Sequence, residues 1–269
     1  MIKSRLIPII VLKGNLIVQS LGFQRYLPIG KVKMAIEFFV NWDVDEIVLI
    51  DIDATKEKRK LHRDIVEEAC SKCFIPLSVG GGIKTLKDIR ETLRSGADKV
   101  LINEAAYRNP QFISEAASSF GSSTITVSVD ARKIGKNYYC YYRNGTINSN
   151  KLVEDWIKEI EDLGAGEILI NSIDRDGYRK GYDLDLLNLV SRNVSIPVIA
   201  CGGVGNVTHF VDGLTKGNCQ AVAAANIFQH TEHSTIAAKA FMKKKGINVR
   251  LSSEVKYKNF GEDSIGRPV

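Results

Sequence analysis

Ile75-Pro76-Leu77-Ser78-Val79-Gly80-Gly81-Gly82 is a short apolar run that ends on three glycines. The chain repeats this pattern at Ile196-Pro197-Val198-Ile199-Ala200-Cys201-Gly202-Gly203. Pro76 and Pro197 stand 121 positions apart. The same offset carries Glu46 to Glu167, each heading an aliphatic run (EIVLI and EILI), Asp53 to Asp174, and Gly96 of GADKVLIN to Gly217 of GNCQAVAA. One offset that aligns four strand ends is hard to obtain by chance, so the chain is read as two similar halves.

Working outward, short β-branched runs alternate with amphipathic stretches of helical length, which is the pattern of a parallel sheet wrapped by helices. Strands are expected near 5–12, 46–52, 76–80, 98–103, 124–130, 166–172, 196–201 and 220–224. Helices are expected near 30–42, 57–73, 85–95, 110–119, 149–163, 184–193, 206–215 and 231–244. Eight evenly paced strand–helix pairs in 269 residues favour a single closed (β/α)8 TIM barrel made of two (β/α)4 halves, over an open sheet or two small domains. The barrel is assigned to residues 1–250. Residues 251–269, polar and without a period, are assigned to a C-terminal extension or partner contact.

Composition is that of an ordinary globular protein, and no apolar run approaches the roughly 20 residues of a membrane span. The opening MIKSRLIPIIVLKGN lacks the h-region and cleavage site of a signal peptide and reads as a first strand. The net charge of +6 is dispersed, and no aromatic residues interleave with the basic runs at 56–63 and 243–245. No nucleic-acid groove is therefore expected, although the positive field would help collect anionic substrates. Five scattered cysteines point to a reducing cytoplasm rather than to a disulfide framework. Cys70 and Cys73 form a lone C-x-x-C with no nearby histidine, and no metal or cofactor is expected. His209, His230 and His233 are read as solvent-facing or capping groups, and Cys201 as a packing residue near the pocket.

In such a barrel the active site is built at the C-terminal ends of the strands. Gly80-Gly81-Gly82, Asp176-Gly177 and Gly202-Gly203 fall there. Glycine lets the backbone approach phosphate oxygens, and a following helix N-terminus adds exposed N–H groups. Two equivalent sets, one in each half, suggest a substrate with a phosphate at each end. Asp130 closes the apolar run TITVSVD and so reaches the same face, as Asp176 does. Either can serve as a general acid or base if its surroundings raise its pKa. For Asp51, Asp53 and Asp174 both a functional and a capping role stay open.

Arg5 to Pro8, Asp51 to Ala54, Val79 to Ile83, Gly96 to Val100, Ser172-Ile173-Asp174-Arg175-Asp176-Gly177 and Ala200 to Gly205 together resemble the cyclase (HisF) subunit of imidazole glycerol phosphate synthase, over about residues 1 to 250. The resemblance implies ammonia delivered by a glutaminase (HisH-like) partner docked at the bottom of the barrel. It also implies a bis-phosphorylated ribonucleotide substrate whose imidazole ring is closed at the top. By that resemblance Arg5, Glu46, Lys99 and Glu167 form a salt-bridged ammonia gate, and Asp98 faces the glutaminase. Gly82, Asn103, Asp176, Gly177, Gly203, Ala225 and Asn226 would hold phosphate.

The chain also departs from the family. Ring closure there is assigned to two aspartates. Asp130 matches one, but the strand-1 position is Val11, which can neither give nor take a proton. A phosphate-gripping lysine is replaced by Gln19, and Glu104 stands where a hydroxyl residue is expected. The ammonia side is thus complete and the cyclase side is not. This pattern resembles paralogues that work with a glutaminase and a separate sugar amidotransferase to make acetamidino sugars for surface polysaccharides. The alternatives are a genuine cyclase of histidine biosynthesis and a non-catalytic activator of the glutaminase.

Overall fold

The computed structural model describes residues 3–59, 62–229 and 234–252. His230, His233 and all but the first two residues of the expected extension lie outside these. The first half runs β1 (Arg5–Lys13), a hairpin of β2 (Leu16–Leu21) and β3 (Arg25–Gly30), α1 (Val32–Asn41), β4 (Ile47–Asp51) and α2 (Arg63–Lys72). It continues through β5 (Leu77–Gly80), α3 (Leu86–Arg94), β6 (Lys99–Ile102), α4 (Glu104–Arg108) and α5 (Gln111–Phe120). The second half opens with β7 (Ile125–Ile134), a hairpin of β8 (Asn137–Tyr142) and β9 (Ile147–Leu152), α6 (Val153–Asp162) and β10 (Glu167–Ser172). It ends with α7 (Leu184–Asn193), β11 (Val198–Cys201), α8 (Thr208–Thr215), β12 (Ala221–Ala224) and α9 (Thr235–Lys244).

Eight parallel strands close in the order β1-β4-β5-β6-β7-β10-β11-β12, and β12 returns to β1 through Arg5↔Ala221 to Pro8↔Ala224. The chain is a (β/α)8 TIM barrel. Each half carries its hairpin after its first strand, so the internal repeat extends to its insertions. Both hairpins were absent from the sequence reading. Residues 149–152, expected to open a helix, instead complete β9, and the helix expected from 57 begins only at Arg63. The intervening turn is held by Glu57 N–H on the Asp53 carbonyl and by Lys58 in the left-handed region at φ 53°.

Each of the eight barrel strands is largely buried on both faces, which is why they read as continuous apolar runs. Along β1, Leu6, Ile10 and Leu12 pack outward under the helices. Ile7 and Ile9 point into the lumen, where they meet Val48, Leu101, Leu169 and Ile199. This alternation delivers the residues at each strand end to the barrel axis, charged at the N-terminal face and polar at the C-terminal one.

Candidate functional site

A cavity of about 740 Å³ opens at the C-terminal ends of the strands. Asp130 lies in its floor, buried. It is delivered there because β7 pairs in register with β10, placing Asn171 beside it. Asn103 Nδ2 donates to Asp130 Oδ2 at 3.1 Å and to the Ser128 carbonyl at 3.0 Å. Burial pushes the Asp130 carboxyl up to about 7; the Asp176 charge adds to this, and hydrogen bonds from Asn103 and Asn171 work against it. A carboxyl that titrates near neutrality is suited to moving a proton in either direction. Asn103, expected on phosphate, therefore spends its amide on this aspartate.

Val11 lines the same cavity from β1 and offers no titratable group. Its carboxylate neighbours do not stand in for one. Asp51 is buried and ion-paired with Arg59 at 2.6 Å, and it accepts the Asp53 and Ala54 N–H groups. Asp53 pairs with Lys13 at 2.9 Å and accepts from Gly14 N–H. Asp174, beyond the rim, accepts the Lys133 N–H and lies 3.5 Å from Arg132. These three carboxylates brace the loops. The Cys201 thiol lines the cavity, and burial raises its pKa so that the reactive thiolate is disfavoured.

The half-site around Asp176 is seated under the β2–β3 hairpin. Ser20 Oγ donates to Asp176 Oδ2 at 2.6 Å, and Gly22 N–H donates to the Asp176 carbonyl at 3.0 Å. Asn226 Nδ2 donates to the Ser20 carbonyl at 2.7 Å. Burial raises the Asp176 pKa, and the Ser20 hydrogen bond opposes it. Asp176 and Ala225 line the cavity, whereas Gly177, Gly203 and Asn226 are not among its lining residues. Gly177 has φ 73°, and a side chain there would strike the Ser20 carbonyl. Gly177 is thus packed against the β2–β3 hairpin, whereas Gly82 lines the cavity.

Gly82 lines the cavity on the other side, where its N–H donates to Thr55 Oγ1 at 3.3 Å. Glu104, whose carboxylate would repel phosphate if alone, is paired with Arg108 at 2.6 Å and Arg143 at 3.0 Å. Lys58 and Lys84 also line this side. Sequence reading missed Arg108, Arg143, Asn171 and Ser20. An i,i+4 spacing connects Glu104 to Arg108, and Asn144-Gly145 is a hairpin-turn signal that would have carried Arg143 to the mouth.

At the opposite end four charges close a ring. Arg5 meets Glu46 at 2.7 Å and Glu167 at 2.5 Å, and Lys99 meets the same two carboxylates at 3.2 and 2.8 Å. Ser78 Oγ adds a 2.6 Å bond to Glu46. Burial works against the Arg5 charge, but Glu167 and Glu46 outweigh it and hold its pKa above the ordinary value. Pairing of this kind is what keeps ions at a desolvated constriction. Asp98 is exposed beside the ring and accepts the Leu77 N–H at 2.8 Å.

Residues 5–235 match the model of a family described as histidine biosynthesis protein. Across its whole length the chain is 60% identical to 98% of a Vibrio vulnificus (strain YJ016) chain that bears the provisional name imidazole glycerol phosphate synthase subunit hisF2. Over 253 residues, 93% of this chain, it is 42% identical to 99% of the imidazole glycerol phosphate synthase subunit HisF of Staphylococcus carnosus (strain TM300). None of the described helices is long and apolar enough to cross a membrane. With a barrel of this topology and relatives matched end to end, the chain belongs to the histidine biosynthesis protein family, among the HisF-like cyclase subunits of imidazole glycerol phosphate synthase.

Proposed function

We propose that this HisF-family subunit takes glutamine-derived ammonia from a glutaminase docked on its N-terminal face and passes it to a phosphorylated acceptor at the C-terminal mouth. The observation that carries this reading is the combination of a closed ring of Arg5, Glu46, Lys99 and Glu167 with a mouth in which Asp130 titrates near neutrality opposite Val11. Ammonia is small and neutral, so an apolar lumen of Ile7, Ile9, Val48 and Leu169 admits it while rejecting ammonium. Thr126, in register with Glu167, carries a buried hydroxyl with no hydrogen-bond partner among the described residues, a natural resting point for such a molecule. In this reading Asp98 contacts the glutaminase. Asp130 does the proton transfer, and Gly82, Asn103, Asp176, Gly177, Gly203, Ala225 and Asn226 shape and support the phosphate ends of the site.

With Val11 in place of an acid, efficient ring closure is not expected. The acceptor chemistry is assigned to a glutamine-dependent amidotransferase that makes an acetamidino sugar for a surface polysaccharide, in which a separate sugar amidotransferase takes part. The second-copy name of the Vibrio relative fits a paralogue. The competing reading, a cyclase of histidine biosynthesis, draws on the likeness to the Staphylococcus subunit and on the pKa of Asp130.

The test is turnover of the histidine-pathway ribonucleotide by the purified chain with free ammonia. Turnover at an ordinary cyclase rate, abolished by Asp130→Asn, would establish the competing reading. The expected result is little or no turnover by the native chain and a rise of about tenfold or more in Val11→Asp, since a positioned acid or base contributes on the order of 10²-fold or more.

A further inference from the structure

The wall of the mouth beside Gly82 contains a feature that the glycine loops do not explain. Arg108 and Arg143 both bind Glu104, and both do so through Nε. Among the described residues, the four terminal Nη nitrogens of these guanidiniums carry no hydrogen bond to protein. Both side chains line the 740 Å³ cavity, with Lys58 and Lys84 nearby.

Arg143 reaches this position by a costly route. It stands at the tip of the β8–β9 hairpin, where Arg143, Asn144 and Gly145 have φ of 52°, 53° and 69°. Two non-glycine residues in succession in the left-handed region persist only where their surroundings hold them. Asn144 Nδ2 is held on the Ile52 carbonyl at 3.0 Å, from the loop after β4, and a side chain at Gly145 would crowd Ile173 and Phe23. The tip thus crosses the mouth and sets Arg143 against the Glu104–Arg108 pair. Two guanidiniums on one carboxylate leave one net positive charge, with donors in the forked geometry that matches phosphoryl oxygens.

We propose that Arg108 and Arg143 form a clamp for a phosphoryl group of the acceptor, with Glu104 as the positioning residue that holds the two guanidiniums side by side. The proposal rests on the reading above that the mouth takes a phosphorylated molecule. It identifies the grip on the Gly82 side, where Asn103 is committed to Asp130. Glu104 competes with the incoming anion for the same cations, so it orients the clamp and weakens it at once.

The experiment is calorimetric titration of the full chain, without a partner, with inorganic phosphate and with pyrophosphate at two salt concentrations. Wild type should bind at least one of them, more weakly at high salt. Arg108→Gln and Arg143→Gln should each lower affinity by about tenfold or more, the range of a lost charge-assisted bond. Glu104→Gln, which keeps an acceptor and removes the competing charge, should raise affinity about threefold. Tighter binding of pyrophosphate points to a diphosphate end on the acceptor, and equal binding to a phosphomonoester. The clamp is overturned if wild type binds neither anion, or if both arginine variants stay within twofold of it while melting normally. A failure of glutaminase coupling with anion binding intact would instead count against the wider reading alone.

Discussion

Asp130 is the residue whose environment most constrains the chemistry. An unfolded aspartate titrates near 4, whereas burial raises this one to about 7. The protonated form therefore suits the fold and the carboxylate strains it. The destabilisation sets in as pH rises above about 4 and is complete above about 7. Asp130→Asn removes it. The melting temperature of the variant should exceed that of wild type at pH 8, with the gain vanishing toward pH 4. At about 1.4 kcal/mol per tenfold, the ceiling is roughly 4 kcal/mol. A thermal melt series across pH reads this without any substrate, and equal melting at pH 8 would mean that Asp130 is not desolvated as described. Val11 shows how far a single position was readable. Val11 does line the mouth, but its absent acid was legible only through the family resemblance, which supplies the aspartate expected there. The engagement of Asn103 with Asp130 was not, because the two lie 27 residues apart and meet only through side-chain geometry across neighbouring strands.

At the level of elements, the two hairpins define the mouth. The β2–β3 hairpin is fastened by Ser20 to Asp176 and by Asn226 to Ser20, contacts that span 156 and 206 residues of sequence. Gly177→Ala should unseat it, since a methyl there meets the Ser20 carbonyl and Leu21 on a backbone of φ 73°. A loss of about 2–3 kcal/mol and faster proteolysis within residues 16–30 are expected. Gly135→Ala, at φ 61° with nothing within 4 Å, should cost only about 1 kcal/mol and leave the β2–β3 hairpin protected. The eight barrel strands were legible because each is a continuous apolar run followed by a turn. The hairpins were not, because Tyr138 to Tyr142 and Leu16 to Leu21 are short and pair antiparallel outside the parallel barrel. Asn144-Gly145, at the turn between β8 and β9, was a hairpin signal left out of the sequence reading.

On the scale of the whole molecule, the barrel carries its charges at two ends with an apolar lumen between them. The sequence places four charges at strand starts, two of them linked by the 121-residue offset from Glu46 to Glu167, but only the family resemblance implied that they form a ring. That it closes, each cation touching both carboxylates, needed the geometry of four strands at once. The central claim is that this face receives a glutaminase and that the barrel switches its partner on. The most direct measurement is the glutamine hydrolysis rate of a HisH-like glutaminase, alone and with the barrel, after testing that the two copurify. A stable complex is expected, with a stimulation of about tenfold or more, about 1.4 kcal/mol off the activation barrier. Asp98→Asn should largely remove the stimulation, because it keeps the acceptor for the Leu77 N–H and deletes only the exposed charge. A glutaminase that neither copurifies with the barrel nor changes rate in its presence would contradict it.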